Sequence, residues 1–385
     1  MAIILFDPND RDRLLPLAST RAFADIGLGI LTQRERWEQR TKEKVGVATA
    51  GYLRCLYDTL PEGEYTWIDA SVYPDKAAID AIYQLTSGSA LRSDGSIWAC
   101  RISANQDSIH ALLQKPELFH VTEHSVSKLM HPWELISRNK QQLFEDVELI
   151  TAGRLSAPIP DHIHCTHPEK IFIEPGAELA PCYLNATEGP IYIGRNATIL
   201  EGAAIRGPFA MCEGAVVKMQ SSIYGATTLG PFCVGGGEIK NTLMMGYSNK
   251  AHHGYLGDAV IGEWCNLGAG ATNSNVKNTA GIVSVWDFHT RQYIPVGQKC
   301  GVIMGDYCTV SIQAAMNTGS IYGVCCNIYG NGLLPTVVEP CSWGVTGKRY
   351  QLPKAIASIS NWKQMKGRSF TSAEISILEY IFAQL

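Results

Sequence analysis

The chain has 385 residues, of which 46% are hydrophobic and 18% charged, and its formal net charge is −4. This balance is typical of a folded protein with a large core, and because no basic run or stripe occurs we expect no nucleic-acid partner. No stretch of 18 apolar residues occurs, so we expect no membrane span. The first apolar run has no basic region before it, so we expect a buried strand and not a signal peptide. The twelve cysteines are predicted to be reduced core thiols, which indicates a cytoplasmic protein.

The first 150 residues predict an α/β domain. An apolar strand at 3–6 leads into the charged segment 10–16. Helical spacing follows at 34–44 and 76–85, and strand-like runs lie near 66–68 and 96–102. Alternation of strands and helices favours this fold class. Residues 151–170 are polar and contain prolines, as expected of a linker.

Seven aliphatic residues then stand six apart in an unbroken series. They are Ile193, Ile199, Ile205, Met211, Val217, Ile223 and Leu229. A period of six fits neither an α-helix nor a half-buried strand. It is typical of the hexapeptide repeat, in which three short parallel strands form one coil of about 18 residues. The sequence therefore predicts a parallel β-helix in which residues 18 apart stack on one face.

The repeat is interrupted twice before the chain ends. Leu229 precedes Ile261 by 32 residues, which is not a multiple of six, so we expect the segment 235–254 to bulge or loop out. The second interruption, 282–295, alternates apolar and polar residues and predicts an extra hairpin. Near the end, Thr371 begins a segment with helical spacing, which predicts a terminal helix that covers the last coil.

Polar side chains of unusual type gather around the first interruption. They are Lys240, Lys250, His252, His253, Tyr255, Asn266, Asn273 and Asn275. Each of them alone is typical of a turn that faces water. As a group on successive coils, beside a break in the repeat, they favour a functional site.

Motifs in this region resemble one enzyme family. Residues 249–258, 261–270 and 273–275 are similar to the acetyltransferase centre of the bifunctional N-acetylglucosamine-1-phosphate uridyltransferase/glucosamine-1-phosphate N-acetyltransferase family. The resemblance extends along nearly the whole chain and is nearest to a divergent, Bacteroidetes-type branch of sugar-1-phosphate nucleotidyltransferases. The other segments that carry it are Asp7, 14–17, Thr20, Arg21, 29–32 and 342–344.

The resemblance implies a chemical role for several of these residues. His252 corresponds to the general base that takes a proton from the sugar amine as the amine attacks acetyl-CoA, with His253 as the alternative. Asn275 corresponds to the residue that orients the amine, and the backbone N–H of Val276 would support the oxyanion. Lys240 and Tyr255 correspond to groups that hold the sugar phosphate, and Asn266 corresponds to a sugar contact. A lysine expected six residues after Asn275 is Gly281 here, and the nearby Lys277 is predicted to bind substrate instead.

For the N-terminal domain the resemblance implies nucleotidyl transfer, although the family's usual glycine-rich loop is missing. In its place stand Arg11, Arg13 and Arg21, which are either phosphate-binding residues or ordinary surface arginines. Magnesium would be held by Asp69 at a strand end and by Asn139. The alternative is a degenerate domain kept for binding or folding.

The resemblance implies four segments: a nucleotidyltransferase-like α/β domain (1–150), a linker (151–170), a left-handed parallel β-helix acyltransferase domain (171–350) and a C-terminal helical segment (351–385). A homotrimer is expected, since hexapeptide acyltransferases place their sites between subunits. The implied activity uses acetyl-CoA, Mg²⁺, a sugar phosphate and UTP or dTTP to make UDP-N-acetylglucosamine or a related nucleotide sugar. Two alternatives remain open, namely acetyl transfer alone and a non-catalytic trimeric scaffold that binds sugar nucleotides.

Overall fold

The structure, a computed structural model, describes residues 2–385 and begins with an α/β domain. Its strands are β1 Ile3–Phe6, β2 Gly27–Leu28, β3 Leu31–Thr32, β4 Val45–Ala48, β5 Gly63–Asp69, β6 Ser89–Ser93, β7 Ser96–Ala104 and β8 His120–Glu123. Its helices are α1 Gln33–Thr41, α2 Lys76–Tyr83, α3 Ile109–Leu113 and α4 Glu134–Thr151. Short 3-10 helices lie at Arg11–Leu14, Leu17–Ser19, Phe23–Asp25, Gly51–Leu56 and Pro116–Leu118. The predicted fold class of this region is confirmed.

Six of these strands form one mixed sheet in the order β4-β1-β5-β7-β6-β8. β1 is parallel to both β4 and β5, whereas β7 is antiparallel to β5 and β6. All four residues of β1 are buried, as expected for a parallel strand covered on both faces. The carboxyl ends of β1, β4 and β5 therefore meet at one edge of the sheet, where ligands of α/β domains commonly bind.

The second half of the chain is a parallel β-helix with three faces. Face 1 contains Ile171–Ile173, Ile191–Ile193, Phe209–Met211, Thr227–Leu229, Leu243–Met244, Val260–Ile261, Ile303–Met304, Ile321–Tyr322 and Val337–Val338. Face 2 contains Glu178–Leu179, Thr198–Ile199, Val216–Val217, Val234–Gly235, Asn249–Lys250, Asn266–Leu267, Thr309–Val310 and Asn327–Ile328. Face 3 contains His164–Thr166, Tyr183–Asn185, Ala204–Arg206, Ser222–Tyr224, Glu238–Lys240 and Tyr255–Gly257, and continues through Thr272–Asn273 and Ala315–Met316. The 3-10 helix Pro168–Lys170 precedes the first strand of face 1, and the strand His164–Thr166 already lies within the segment expected as a linker.

The predicted stacking of the repeat is confirmed. Ile193, Met211 and Leu229 are register partners on face 1, and all three are fully buried. The pairs Ile199–Val217 and Ile205–Ile223 stack in the same way on faces 2 and 3. Because every inward position must fill the narrow interior, the period of six in the sequence specifies the coil.

The predicted extra hairpin is also confirmed. Val283–Asp287 pairs antiparallel with Gln292–Gly297 and projects from the β-helix. Val283 and Val285 are buried in a hydrophobic cluster that also contains residues of the N-terminal domain. The hairpin therefore packs against the first domain rather than standing in solvent.

Two helices end the chain, and their placement corrects an expectation. α5 Leu352–Met365 is followed by α6 Ser372–Ala383, whose N-cap is Thr371 in a capping box with Glu374, as predicted. The helices do not simply cover the last coil. α5 packs along the corner between faces 1 and 2, and Lys366 at its end donates a 2.7 Å hydrogen bond to the carbonyl of Phe232. No helix within residues 2–385 is long and apolar enough to cross a membrane.

The outer surface of face 1 is covered by the N-terminal domain. Leu143 of α4 packs with Phe172, Tyr192 and Ala210 of the β-helix in one buried cluster. Farther along, the outward residues of face 1 join the core of the first domain, namely Leu243, Val260, Ile303 and Ile321. The two domains thus share apolar packing along the length of one face.

A buried ion cluster joins the domains at the end of the segment that follows β1. Arg21 donates a 2.9 Å hydrogen bond to Glu263 and also pairs with Asp306, which accepts a hydrogen bond from Thr20. The Asp306 side chain is 3% exposed. The neighbouring carboxylates raise the pKa of Arg21 against the opposing effect of burial. Removal of the cation would leave a buried carboxylate without a counter-ion.

We therefore predict that Arg21→Met lowers the free energy of unfolding by about 3–5 kcal/mol, the cost of leaving a buried charge unpaired. Arg13→Met serves as the matched control, because Arg13 pairs with Asp10 while both side chains are 37% exposed. That change is expected to cost less than about 1 kcal/mol. Urea unfolding measures both, and equal small effects would contradict a stabilising role for the Arg21 cluster.

Candidate functional site

The break in the repeat is a pair of shortened coils, not an excluded loop. Leu229 is the register partner of Met244, 15 residues later, and Met244 is the partner of Ile261, 17 residues later. Both coils keep a strand on all three faces. The expectation that 235–254 bulges or loops out is therefore wrong. A coil that loses residues at its corners and a coil that gains a loop both break the six-residue spacing, so the sequence alone does not distinguish them.

Three consecutive glycines make the first shortened corner possible. A Cβ atom on Gly236 would lie 2.4 Å from the carbonyl oxygen of Ala251, and one on Gly237 would lie 2.7 Å from that of His252. Gly237 also has φ +72°, a left-handed conformation that favours glycine. Gly235, Gly236 and Gly237 therefore let two successive corners approach each other closely, directly beneath His252.

Lys250 lies next to this glycine segment, in the interior of the coil. It is the register partner of Gly235 on face 2, and it is 1% exposed. Its Nζ donates to the carbonyl oxygens of Gly236, at 3.1 Å, and His252, at 2.5 Å. Burial lowers the pKa of this lysine to about 8.

A second polar group lies on the outer surface of face 3. Lys240 Nζ lies 5.7 Å from the ring centroid of Tyr224, whose hydroxyl donates a 2.5 Å hydrogen bond to Glu238. The hydrogen bond to Glu238 raises the pKa of Tyr224 to about 12. Tyr255 is the register partner of Glu238 on the next coil, so the predicted residues Lys240 and Tyr255 lie on one surface.

The corner that follows face 3 carries a ladder of amides and a carboxylate, at residues 241, 258 and 275. Asn241 donates a 2.6 Å hydrogen bond to Oδ1 of Asp258, and Asn275 donates to Oδ2 of the same carboxylate. The Asn275 amide also donates to the hydroxyl of Tyr255 at 3.0 Å. Because an ionised carboxylate only accepts, the amide nitrogen of Asn275 must face Asp258. Its carbonyl oxygen is left to accept a hydrogen bond from a ligand.

The same geometry fixes the role of the Tyr255 hydroxyl. Its oxygen accepts from Asn275, so its proton is free to be donated outward. Burial, followed by the negative charge of Asp258, raises the pKa of Tyr255 well above its ordinary value. Tyr255 is therefore a neutral hydrogen-bond donor beside the Lys240 ammonium, an arrangement that suits a phosphate.

The predicted base and two other predicted residues lie apart from this group. His252 and His253 are exposed on the corner between faces 2 and 3, and neither imidazole has a hydrogen-bond partner in residues 2–385. Asn266 lies on face 2, as the register partner of Asn249. Lys277 is exposed and donates to the carbonyl of Ile282 at 2.6 Å. One chain therefore brings Lys240, Tyr255 and Asn275 together, but it does not gather every predicted residue in one place.

Sequence reasoning missed two acidic residues of this site. Asp258 accepts a hydrogen bond from the amide of Asn275. Glu238 accepts a hydrogen bond from Tyr224 and is the register partner of Tyr255 in the next coil. Asn241, Asp258 and Asn275 are each 17 residues apart. That constant spacing in two consecutive coils is the signal that would have revealed Asp258.

The N-terminal domain has a separate cleft of about 740 Å³ at the carboxyl ends of β1 and β5. Lys128 and Arg92 are the cations in its wall, and Asp10, Asp69 and Asp94 are the acids. Both carboxylate oxygens of Asp69 have partners. Oδ1 accepts from the N–H and hydroxyl of Ser71, and Oδ2 accepts from Lys128 Nζ at 3.0 Å.

Asn139, the second predicted magnesium ligand, lies in the domain interface. Its Oδ1 accepts from the N–H of Gly29 at 2.9 Å, and its Nδ2 donates to the carbonyl of Ala226 at 2.8 Å. It shares no contact with Asp69, whose partners are Ser71 and Lys128. Within residues 2–385 no group of three or more His, Cys, Asp or Glu side chains could hold a metal. Asp69 and Asn139 could form the predicted magnesium pair only if both side chains left their present partners.

The three predicted phosphate-binding arginines have different surroundings. Arg11 pairs with the buried Asp7 at 2.8 Å and donates to the carbonyl of Ala18, so it braces the segment after β1. Arg21 is engaged by the interdomain ion cluster described above. Arg13 alone is partly exposed, beside Asp10 in the cleft wall.

These features define a two-domain chain in which a nucleotidyl transferase-type α/β domain packs along a parallel β-helix. Residues 3–155 match the family model described as sugar nucleotidyl transferase. The chain is also 30% identical over 133 residues to the bifunctional protein GlmU of Methanocaldococcus jannaschii, covering 34% of this chain and 30% of that protein. It is 29% identical over 168 residues to GlmU of Thermus thermophilus, covering 37% and 36%. These matches confirm the predicted resemblance to that family over part of the chain.

The matches leave most of each relative uncovered, since they span about a third of the length of these two GlmU proteins. A crystal structure of the polySia-specific acetyltransferase NeuO covers 53% of this chain and 93% of its own. Its sequence identity is 12% and its TM-score is 0.26, so it adds no argument about fold or activity.

Lys250 gives the site a testable pH dependence. Its pKa in the folded protein, about 8, lies below the ordinary 10.5, so the folded state holds the Lys250 proton less tightly than the unfolded state. The cost of the buried charge is therefore present below pH 8 and is relieved as pH rises toward 10.5. We predict that the free energy of unfolding of the wild type rises over this range, relative to Lys250→Met, by on the order of 3 kcal/mol. Denaturant titrations of both proteins across this range measure the difference, and a constant difference would contradict the prediction.

Proposed function

We propose that the β-helix transfers an acetyl group from acetyl-CoA to the amine of an amino-sugar 1-phosphate. The observation that carries this proposal is the hydrogen-bond network of Asp258, Asn275 and Tyr255. It leaves one carbonyl acceptor, one hydroxyl donor and the nearby Lys240 ammonium on the same outer surface. An acceptor for an amine N–H next to two donors for a phosphate is the set of groups that such a substrate requires.

In the proposed reaction the amine nitrogen attacks the thioester carbonyl carbon. The proton that the nitrogen loses is taken by a His252 imidazole that the subunit interface proposed below brings to the amine. The tetrahedral oxyanion forms near the Val276 N–H, which donates to no acceptor within residues 2–385. The C–S bond then breaks, giving an amide and the thiolate of CoA, and the thiolate is protonated by the imidazolium. His252 is exposed and without a partner, as a base that must meet its substrate requires.

We propose a homotrimer as the active form, with acetyl-CoA bound between neighbouring β-helices. Two features support this. The predicted residues are spread over faces 2 and 3 of one chain, with Asn266 on the first and Lys240 on the second. Face 1, by contrast, is already covered by the N-terminal domain. A neighbouring chain at the corner between faces 2 and 3 would complete the site around His252.

We predict that His252→Ala lowers kcat for acetyl transfer by on the order of 10²–10⁴-fold, because the amine loses its proton acceptor. His253→Ala is the matched control, a neighbouring exposed imidazole that is expected to retain most activity. Release of free thiol from acetyl-CoA with glucosamine 1-phosphate measures both. If the His252 variant keeps the wild-type rate, this assignment of the base is wrong.

For the N-terminal domain the family match supports nucleotidyl transfer. UTP or dTTP is the nucleotide that we propose for it. One observation favours a second candidate function, the binding of a sugar nucleotide without transfer. Lys128 Nζ pairs with Oδ2 of Asp69, and Asn139 lies in the domain interface. The cleft therefore presents a cation for phosphates where the sequence predicted a pair of metal ligands. In this second candidate function the Lys128 ammonium takes the place of a divalent ion beside the diphosphate.

We predict that the wild type binds UDP-N-acetylglucosamine in the presence of a chelator, and that Lys128→Met weakens the affinity about tenfold or more through loss of one charged hydrogen bond. Arg101→Met is a matched control on the same sheet, since Arg101 pairs with Glu64 on the surface. Calorimetric titration measures the affinities. Pyrophosphate release that requires Mg²⁺ and is abolished by Asp69→Asn would contradict binding without transfer.

A further inference from the structure

The ammonium group of Lys250 is buried without a carboxylate partner. Lys250 is 1% exposed, and within residues 2–385 it forms no ion pair. Its Nζ reaches only two backbone carbonyls, those of Gly236 and His252. Other inward positions of the same column on face 2 are apolar, namely Val217, Leu267 and Val310.

An aliphatic side chain at position 250 would match this column and avoid the loss of hydration. Burial of an ammonium costs several kcal/mol unless its hydrogen bonds offset the loss, and backbone carbonyls carry only partial charge. The lowered pKa of Lys250 has the same cause. A residue that works against the stability of the coil in this way is expected where function requires it.

The two carbonyls belong to successive corners between faces 2 and 3. Gly236 lies at the first shortened corner, and His252 lies at the corresponding corner of the next coil. Lys250 therefore ties the backbone of His252 to the coil below. Because the imidazole itself has no partner, its position depends on how firmly this backbone is held.

We propose that Lys250 is a positioning residue for the acetyl transfer proposed above. Its ammonium holds the carbonyl of His252 and so fixes the place from which the imidazole takes the proton of the sugar amine. The inference rests on that function, and it adds a residue that touches neither the sugar nor acetyl-CoA.

The test is a double-mutant cycle on acetyl transfer, with Lys250→Met, His252→Ala and the double variant. We expect Lys250→Met to lower kcat by on the order of 10²-fold with little change in either KM, because a small displacement of a catalytic group is costly while substrate binding is retained. In the His252→Ala background the same change is expected to have no further effect, since the group that Lys250 positions is gone. A purely structural role would lower activity equally in both backgrounds.

Lys366→Met is the matched control. Lys366 is also a lysine whose burial lowers its pKa and whose Nζ donates to one carbonyl, that of Phe232. It directly follows α5, away from the site. It is expected to leave kcat unchanged. If Lys250→Met does not fold, Lys250→Leu replaces it in the cycle, because a leucine matches the apolar column on face 2 and cannot donate to the carbonyl of His252.

The outcomes separate the two proposals. If His252→Ala lowers kcat and the Lys250 variant does not, or if their effects multiply, the positioning role is overturned while acetyl transfer stands. If His252→Ala leaves the rate unchanged, the proposed base itself is wrong.

Discussion

Parallel pairing between successive coils is the constraint on which this structure depends. Each strand must meet its register partner in the coil below, so any residue that a coil loses has to be lost at a corner. The coils that begin at Leu229 and Met244 lose three residues and one residue relative to 18. Glycines at 235–237 absorb part of this loss, and left-handed residues follow at Asn241 (φ 47°) and Asp258 (φ 48°). The shortened corners carry Asn241 and Asp258, whereas His252 lies at a corner of full length.

The domain interface extends the same constraint to the first half of the chain. The outward residues of face 1 are apolar and must be covered, and the N-terminal domain covers them. The segment after β1 contributes Pro8, Asn9 and Asp10 to the cleft wall. Arg21, at the end of this segment, forms an ion pair with Glu263. Glu263 belongs to the coil between Tyr255 and Asn275. The cleft and the proposed acetyl-transfer site are therefore built on one continuous set of packed elements.

Most of the fold could be predicted because it follows from local pattern. The series from Ile193 to Leu229 fixes the β-helix, since its inward side chains have no alternative environment. The hairpin at 283–297 and the cap at Thr371 have local signatures as well. The phase break was misread because periodicity does not distinguish a shortened coil from an inserted loop.

The features that could not be predicted from the sequence depend on contacts between segments that are distant along the chain. Asn139 was expected near magnesium, yet its amide is used by Gly29 and Ala226 across the interface. Lys128 lies 59 residues from Asp69, and no spacing rule links them. Lys250 stood among the polar residues of the break, but only its register with Gly235 reveals that it points into the coil.

The central claim is that the shortened coils form an acetyl-transfer site for an amino-sugar 1-phosphate. The most direct test is the rate of free thiol release from acetyl-CoA by the wild-type chain, with glucosamine 1-phosphate compared with glucosamine. The account predicts rapid release with the phosphorylated amine and little with the free sugar, because Lys240 and Tyr255 are placed to hold a phosphate. Equal rates, or no release with either amine, would contradict it.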